Sequence, residues 1–191
     1  MNFILIGIIS LIFFIWLIVP IRQKNEKYFL FFLALISGDI ATAIARLIFH
    51  SHTNIFYTIS MLMCIIFVQK RNISKKFKIL ILILCIVSLS IELYGINYKE
   101  EFILQCFFNF LLFFNFIQNF IIKFVMEKII NIFLGFLVLY ELTVITKYFG
   151  LITGFANARS YFIITSIFES LIGIFFCIFK ERDTQILIKL K

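Results

Sequence analysis

The chain has little charge, almost no proline and few glycines. Only 15% of its 191 residues are charged, against about a quarter in soluble globular proteins, and its mean hydropathy is +1.09. That deficit excludes a soluble enzyme or an aqueous binding domain. Proline occurs once, at Pro20, and glycine seven times. Secondary transporters commonly carry broken helices or paired Gly/Pro interruptions in two related halves. Neither is present, nor is an internal repeat, so transport is disfavoured. The four cysteines, Cys64, Cys85, Cys106 and Cys177, lie in apolar runs without C-x-x-C or Cys/His spacing. Neither a disulfide framework nor a zinc site is indicated, and the thiols read as small buried hydrophobes. Glycine-rich nucleotide loops, H-E-x-x-H and G-x-S-x-G are missing. The stretch 161–179 lacks the lysine that a retinal protein needs in its last helix. No cofactor is implied, and no nucleophile stands beside an evident base.

What is present is apolar sequence in seven stretches: 3–21, 28–49, 53–70, 79–97, 102–123, 127–149 and 160–180. A transmembrane helix needs about 20 such residues. The third stretch is the shortest, covering about 27 Å at 1.5 Å per residue. Stretches such as 79–91 are apolar on every side, which argues against the alternating pattern of a barrel strand. The expected fold is therefore an all-α integral membrane protein, a seven-helix bundle over 1–180. A short basic tail follows at 181–191, where Ile186, Leu187, Ile188 and Leu190 alternate with lysines. Such a tail either continues a signalling helix or snorkels at the membrane surface.

The net charge of +8 does not call for nucleic acid, because its distribution has a membrane explanation. With the amino terminus outside, the inner segments carry Arg22, Lys24 and Lys27, then Lys70, Arg71, Lys75, Lys76 and Lys78. Lys123 and Lys128 follow, then Lys180, Arg182, Lys189 and Lys191, giving 14 basic residues. Arg46, Lys99, Lys147 and Arg159 make 4 outside. Without the third crossing no orientation does better than 12 against 6. The positive-inside rule thus favours seven crossings, with a bacterial inner membrane as the expected location. The first stretch lacks a basic n-region and an A-x-A site, so it reads as an uncleaved helix. Tyr57, Tyr94, Tyr98, Tyr148 and Tyr161 fall near outer ends, with Trp16 and Tyr28 near the inner boundary. An aromatic belt explains this distribution; a tyrosine-lined outer pocket is the alternative.

Against this background four acids stand out: Asp39, Glu92, Glu141 and Glu169. A charge at the bilayer centre costs roughly 2.5–3.5 kcal/mol, so four amount to on the order of 10 kcal/mol before pairing. Asp39, Thr42, Arg46 and His50 share an arc of about 80° on the second span, a face that should point into the bundle. Arg46 rises about 10.5 Å beyond Asp39, too far to pair directly, and so looks to Glu92 or Glu141. Gln105, Asn109, Asn115 and Asn119 share one side of the fifth span, where amides either bond neighbouring helices or line a wet cavity. Thr165, Ser166, Glu169 and Gly173 share a side of the seventh, and Cys85 and Ser88 lie near the face of Glu92. His50 and His52 alone do not make a metal site.

Two resemblances follow from these residues. The layout resembles the compact seven-helix sensor modules of bacterial membrane signalling proteins. That implies a separate cytoplasmic or membrane effector protein, because the tail from Lys180 is too short to hold an output domain. The string Ser37-Gly38-Asp39 resembles the Gly-Asp element of the membrane lysoplasmalogenase family, although the upstream lysine-proline element is absent. That resemblance implies lipid hydrolysis carried by Asp39, and Glu169 is the natural second member of an acid/base pair. The expectation is a receptor-like or accessory module in the lipid bilayer. Its ligand-binding set is Asp39, Arg46, Glu92, Asn109, Glu141 and Glu169, facing a small polar or lipid ligand. Lipid hydrolysis is the alternative, and a structural subunit of a membrane complex the third reading.

Overall fold

A computed structural model describes residues 3–49, 55–68, 98–154 and 158–187, with Ile83, Ile86 and Ser90 between. Six helices are described: α1 (Phe3–Arg22), α2 (Phe29–Phe49), α3 (Ile55–Val68), α4 (Tyr98–Met126), α5 (Ile132–Thr153) and α6 (Ala158–Ile178). Glu100–Met126 in α4, Ile132–Thr153 in α5 and Ser160–Ile178 in α6 are long and apolar enough to cross a membrane. The apolar parts of α1, α2 and α3 are shorter, and α3 rises only about 21 Å. The expected fourth span, 79–97, lies outside the described residues except for three helical positions. There Ser90 donates from its hydroxyl to the carbonyl of Ile86, 2.7 Å away.

Each described helix packs against the next along the chain, allowing for the step from α3 to α4, and α6 closes back on α1. The result is a ring. Its lipid-like exterior shows Leu11, Phe14, Leu47, Phe114 and Phe168 at high exposure. Its interior holds Gln105, Asn109, Glu141, Ser166 and Glu169. Apolar outside and polar inside is the arrangement hydrocarbon surroundings favour, since polar groups find partners only within the bundle.

Small residues set how closely the helices approach. A Cβ at Gly38 would run into the Ser60 side chain, and one at Gly173 would meet Ile15 Cγ2 at 2.7 Å. The α2–α3 and α1–α6 seams are therefore closed by glycine, as close helix contacts in membranes often are. Gly38 thus has a packing role that accounts for half of the Gly-Asp dipeptide.

At the end holding the α1–α2 turn, aromatic side chains fill the ring. Phe133 and Phe176 lie 4.8 Å apart, Phe32 and Phe176 5.1 Å, and Phe31 and Phe116 5.3 Å. Pro20 sits in the last turn of α1, where its missing N–H helps the helix to stop. The chain then turns through Asn25, at a positive φ of 73° that asparagine tolerates. Gln23 donates to the carbonyls of Phe176 (2.7 Å) and Phe179 (2.8 Å), satisfying the end of α6.

The helical architecture carries one short ribbon at this same end. Ile129–Asn131 forms β1, pairing antiparallel with β2 (Gln185–Leu187), Ile130 opposite Ile186. The sixth span was expected to begin at 127, yet α5 begins at Ile132 because these three residues are taken by the ribbon. Asn131 then caps α5, its Oδ1 accepting from the Leu134 N–H at 3.0 Å. Residues 181–187 neither prolong α6 nor trail free: a 3-10 turn (Glu181–Thr184) leads into β2. Lys123 Nζ lies 2.8 Å from Glu181 Oε1, Asn131 donates to the same oxygen at 3.4 Å, and Arg182 pairs with Glu26 at 2.7 Å. This latch joins the α1–α2 turn, the α4–α5 junction and the carboxyl-terminal segment.

Candidate functional site

Above the aromatic plug the ring is hollow. A cavity of about 520 Å³ takes lining residues from all six helices. α1 contributes Ile12, Phe13 and Trp16; α2 contributes Leu35, Asp39, Thr42 and Ala43; α3 contributes Tyr57; α4 contributes Phe102 and Gln105. α5 supplies Tyr140, Val144, Lys147, Tyr148 and Leu151, and α6 supplies Phe162, Ser166 and Glu169. The spacings 35, 39, 42 and 140, 144, 147, 148, 151 are single helical stripes, so periodicity alone delivers these side chains to one space. Trp16 and Tyr140, with ring centroids 4.6 Å apart, lie where the plug meets the cavity.

The charges are arranged unequally. Lys147 Nζ stands 3.0 Å from each carboxylate oxygen of Glu169 and 4.4 Å from the centroid of the Phe162 ring. The side chains of this pair are 19% and 10% exposed, Lys147 first. Asp39 is close enough to interact electrostatically with both members, but no described residue hydrogen-bonds its carboxyl group. Thr42 Oγ1 and Ser166 Oγ are buried without a hydrogen-bond partner among the described residues. Among the described residues the lining holds two acids and one lysine. Among the described residues, Asp39 is thus the acid of this lining that no hydrogen bond engages.

Of the residues expected to face a ligand, Asp39 and Glu169 meet in this cavity. Asn109 is buried elsewhere and donates to the Gln105 carbonyl one turn back, at 2.7 Å. Glu141 is 0% exposed and absent from the lining, and neither carboxyl oxygen has a hydrogen-bond partner among the described residues. Arg46 lies on α2, but its side chain falls outside the described set, as do Glu92, His50 and His52 altogether. The pairing anticipated for Arg46 with Glu92 or Glu141 therefore lies outside the described residues. Sequence reasoning missed Lys147, which it counted as a charge beyond the membrane. The available signal was its place on the stripe of Tyr140, Val144 and Tyr148. Tyr57 and Tyr148, assigned to an interfacial belt, both line the cavity with ring centroids 6.5 Å apart.

The arrangement suits binding more readily than bond cleavage. Glu169 is held through both oxygens by a lysine, and no hydroxyl or thiol nucleophile is hydrogen-bonded to a base here among the described residues. Compared with known families, curated proteins and solved structures, the chain matches none.

Proposed function

We propose that this protein is a receptor-like membrane module of seven spans. It binds a small polar or amphiphilic ligand in the Asp39–Lys147–Glu169 cavity and acts through a separate effector protein. The observation that carries this reading is a charged, aromatic-lined cavity enclosed by a ring whose outer surface is apolar. A purely structural bundle would gain nothing from charged groups placed at an internal cavity, since each unpaired buried polar group costs about 1–3 kcal/mol.

Two features support the finer frame. Tyr57 near the start of α3 and Phe102 near the start of α4 share the cavity, so the chain leaving α3 at the far end returns to the cavity end before Tyr98. In the proposed frame, the span expected from the sequence at 79–97 makes that return. The latch end gathers Arg22, Lys24, Lys27, Lys123, Lys128, Lys180 and Arg182, and the positive-inside rule puts such an end in the cytoplasm. The cavity then faces outward. α1, α5 and α6 each run from the cavity to the latch, giving a displacement at Trp16, Lys147 or Glu169 a rigid route to the cytoplasmic surface.

A lipid hydrolase remains the second reading, because Asp39 and Glu169 do border one cavity. The lysine clasp on Glu169 favours the binding role over acid/base work.

Reporter fusions test the frame. Those after Lys24, Lys75, Glu127 and Leu187 should report cytoplasm, and those after Lys99 and in 155–157 the exterior. Reporters after Lys75 and Lys99 falling on the same side would remove the fourth crossing and with it the seven-span receptor.

A further inference from the structure

We infer that the cavity selects an organic cation, a protonated amine carried on an apolar body. The inference rests on the binding reading above and adds the chemistry of the ligand. Among the described residues the cavity holds one cation of its own, Lys147, and that ammonium is already engaged. It lies between both oxygens of Glu169 and over the face of Phe162. The opposite group, Asp39, has no such counterpart among the described residues. It lies within electrostatic range of Tyr57, Tyr140 and Tyr148, all of them lining residues. A carboxylate beside several aromatic rings is the combination that holds ammonium groups, through charge and through the negative ring faces.

The Thr42 and Ser166 hydroxyl oxygens are buried in the wall without hydrogen-bond partners among the described residues. Leu35, Val144 and Leu151 add apolar wall, which suits a hydrocarbon or aromatic body behind the charged head. An anionic ligand would meet Asp39 and a lysine already engaged by Glu169.

Trp16 is the chain's single tryptophan and borders the cavity, so its emission reports occupancy without a label. The experiment titrates the full chain in lipid nanodiscs with benzylammonium, benzyl alcohol and benzoate, three probes of similar shape and different charge. Benzylammonium should bind at least about tenfold more tightly than the other two. Asp39→Asn should abolish that preference while leaving any weak benzyl alcohol binding in place. Tyr148→Leu should weaken benzylammonium alone. Should Asp39→Asn fail to fold, the charge series on the unaltered chain and Tyr148→Leu still decide the matter. Benzyl alcohol or benzoate binding as tightly as benzylammonium would overturn the cation inference and leave the cavity as a binding site. Silence of Trp16 towards all three probes would overturn both.

Discussion

The Lys147–Glu169 pair offers the sharpest energetic test, because geometry and burial set opposing terms of known size. At an effective dielectric of 20, unit charges 4 Å apart attract by about 4 kcal/mol, and this pair is closer, at 3.0 Å to both oxygens. With side chains only 19% and 10% exposed, both groups have also lost most of their hydration, which offsets much of that attraction. Removing one partner should then cost more than the pair is worth, about 3–5 kcal/mol. Lys147→Met leaves Glu169 without its cation, and Glu169→Gln leaves Lys147 without its anion. The double variant leaves neither charge exposed to that penalty. We expect it to lose less than the sum of the singles, by on the order of 2 kcal/mol. Reversible unfolding in mixed micelles, followed through Trp16 emission, measures all four corners of the cycle. Additivity within about 0.5 kcal/mol would refute the argument that this is a desolvated clasp rather than a hydrated surface contact.

Further expectations follow from other parts of the ring. Gly38→Ala should destabilise by about 1–3 kcal/mol through overpacking against Ser60, and Gly38→Ala with Ser60→Gly should recover most of it in the same unfolding assay. Glu141→Leu should leave stability unchanged or raise it, because both carboxyl oxygens are buried without a described partner and a similar-sized apolar group removes that cost; a loss beyond about 2 kcal/mol would show that the carboxyl has a partner. Gln23→Leu strands the Phe176 and Phe179 carbonyls and should cost about 1–3 kcal/mol. Glu181→Ala removes the shared acceptor of Lys123 and Asn131, and should speed proteolysis of residues 181–187 severalfold in nanodiscs. An unchanged cleavage rate would mean the ribbon alone holds the tail.

Periodicity made part of this molecule legible from its residues. Long apolar runs bounded by basic clusters correspond to α4, α5 and α6, and the shared faces of Asp39 with Thr42 and of Ser166 with Glu169 project into one cavity. What escaped is non-local or ambiguous by period. Glu141 lies about 100° round the helix from Tyr140, beyond the edge of the stripe that reaches the cavity. Lys147 near a span end reads as a flanking charge in any hydropathy count, and only its partner across the ring reveals another role. The β1–β2 ribbon joins residues more than fifty positions apart through three residues each, too short for an alternation signal. Trp16 looked interfacial because depth along a helix says nothing about which way the ring turns.

The central claim is that a largely apolar cavity with charged groups in its wall lies inside the membrane-inserted ring and opens towards the outer side. Ala43 borders that cavity and is itself exposed, so Ala43→Cys places a thiol at the wall without adding bulk to the core. Labelling of intact cells with a membrane-impermeant thiol reagent, read against the parent chain with its four native cysteines, measures access directly. The account predicts rapid modification from outside and strong protection by benzylammonium. A cysteine at position 43 that reacts only after the membrane is broken open, or not at all, would contradict it.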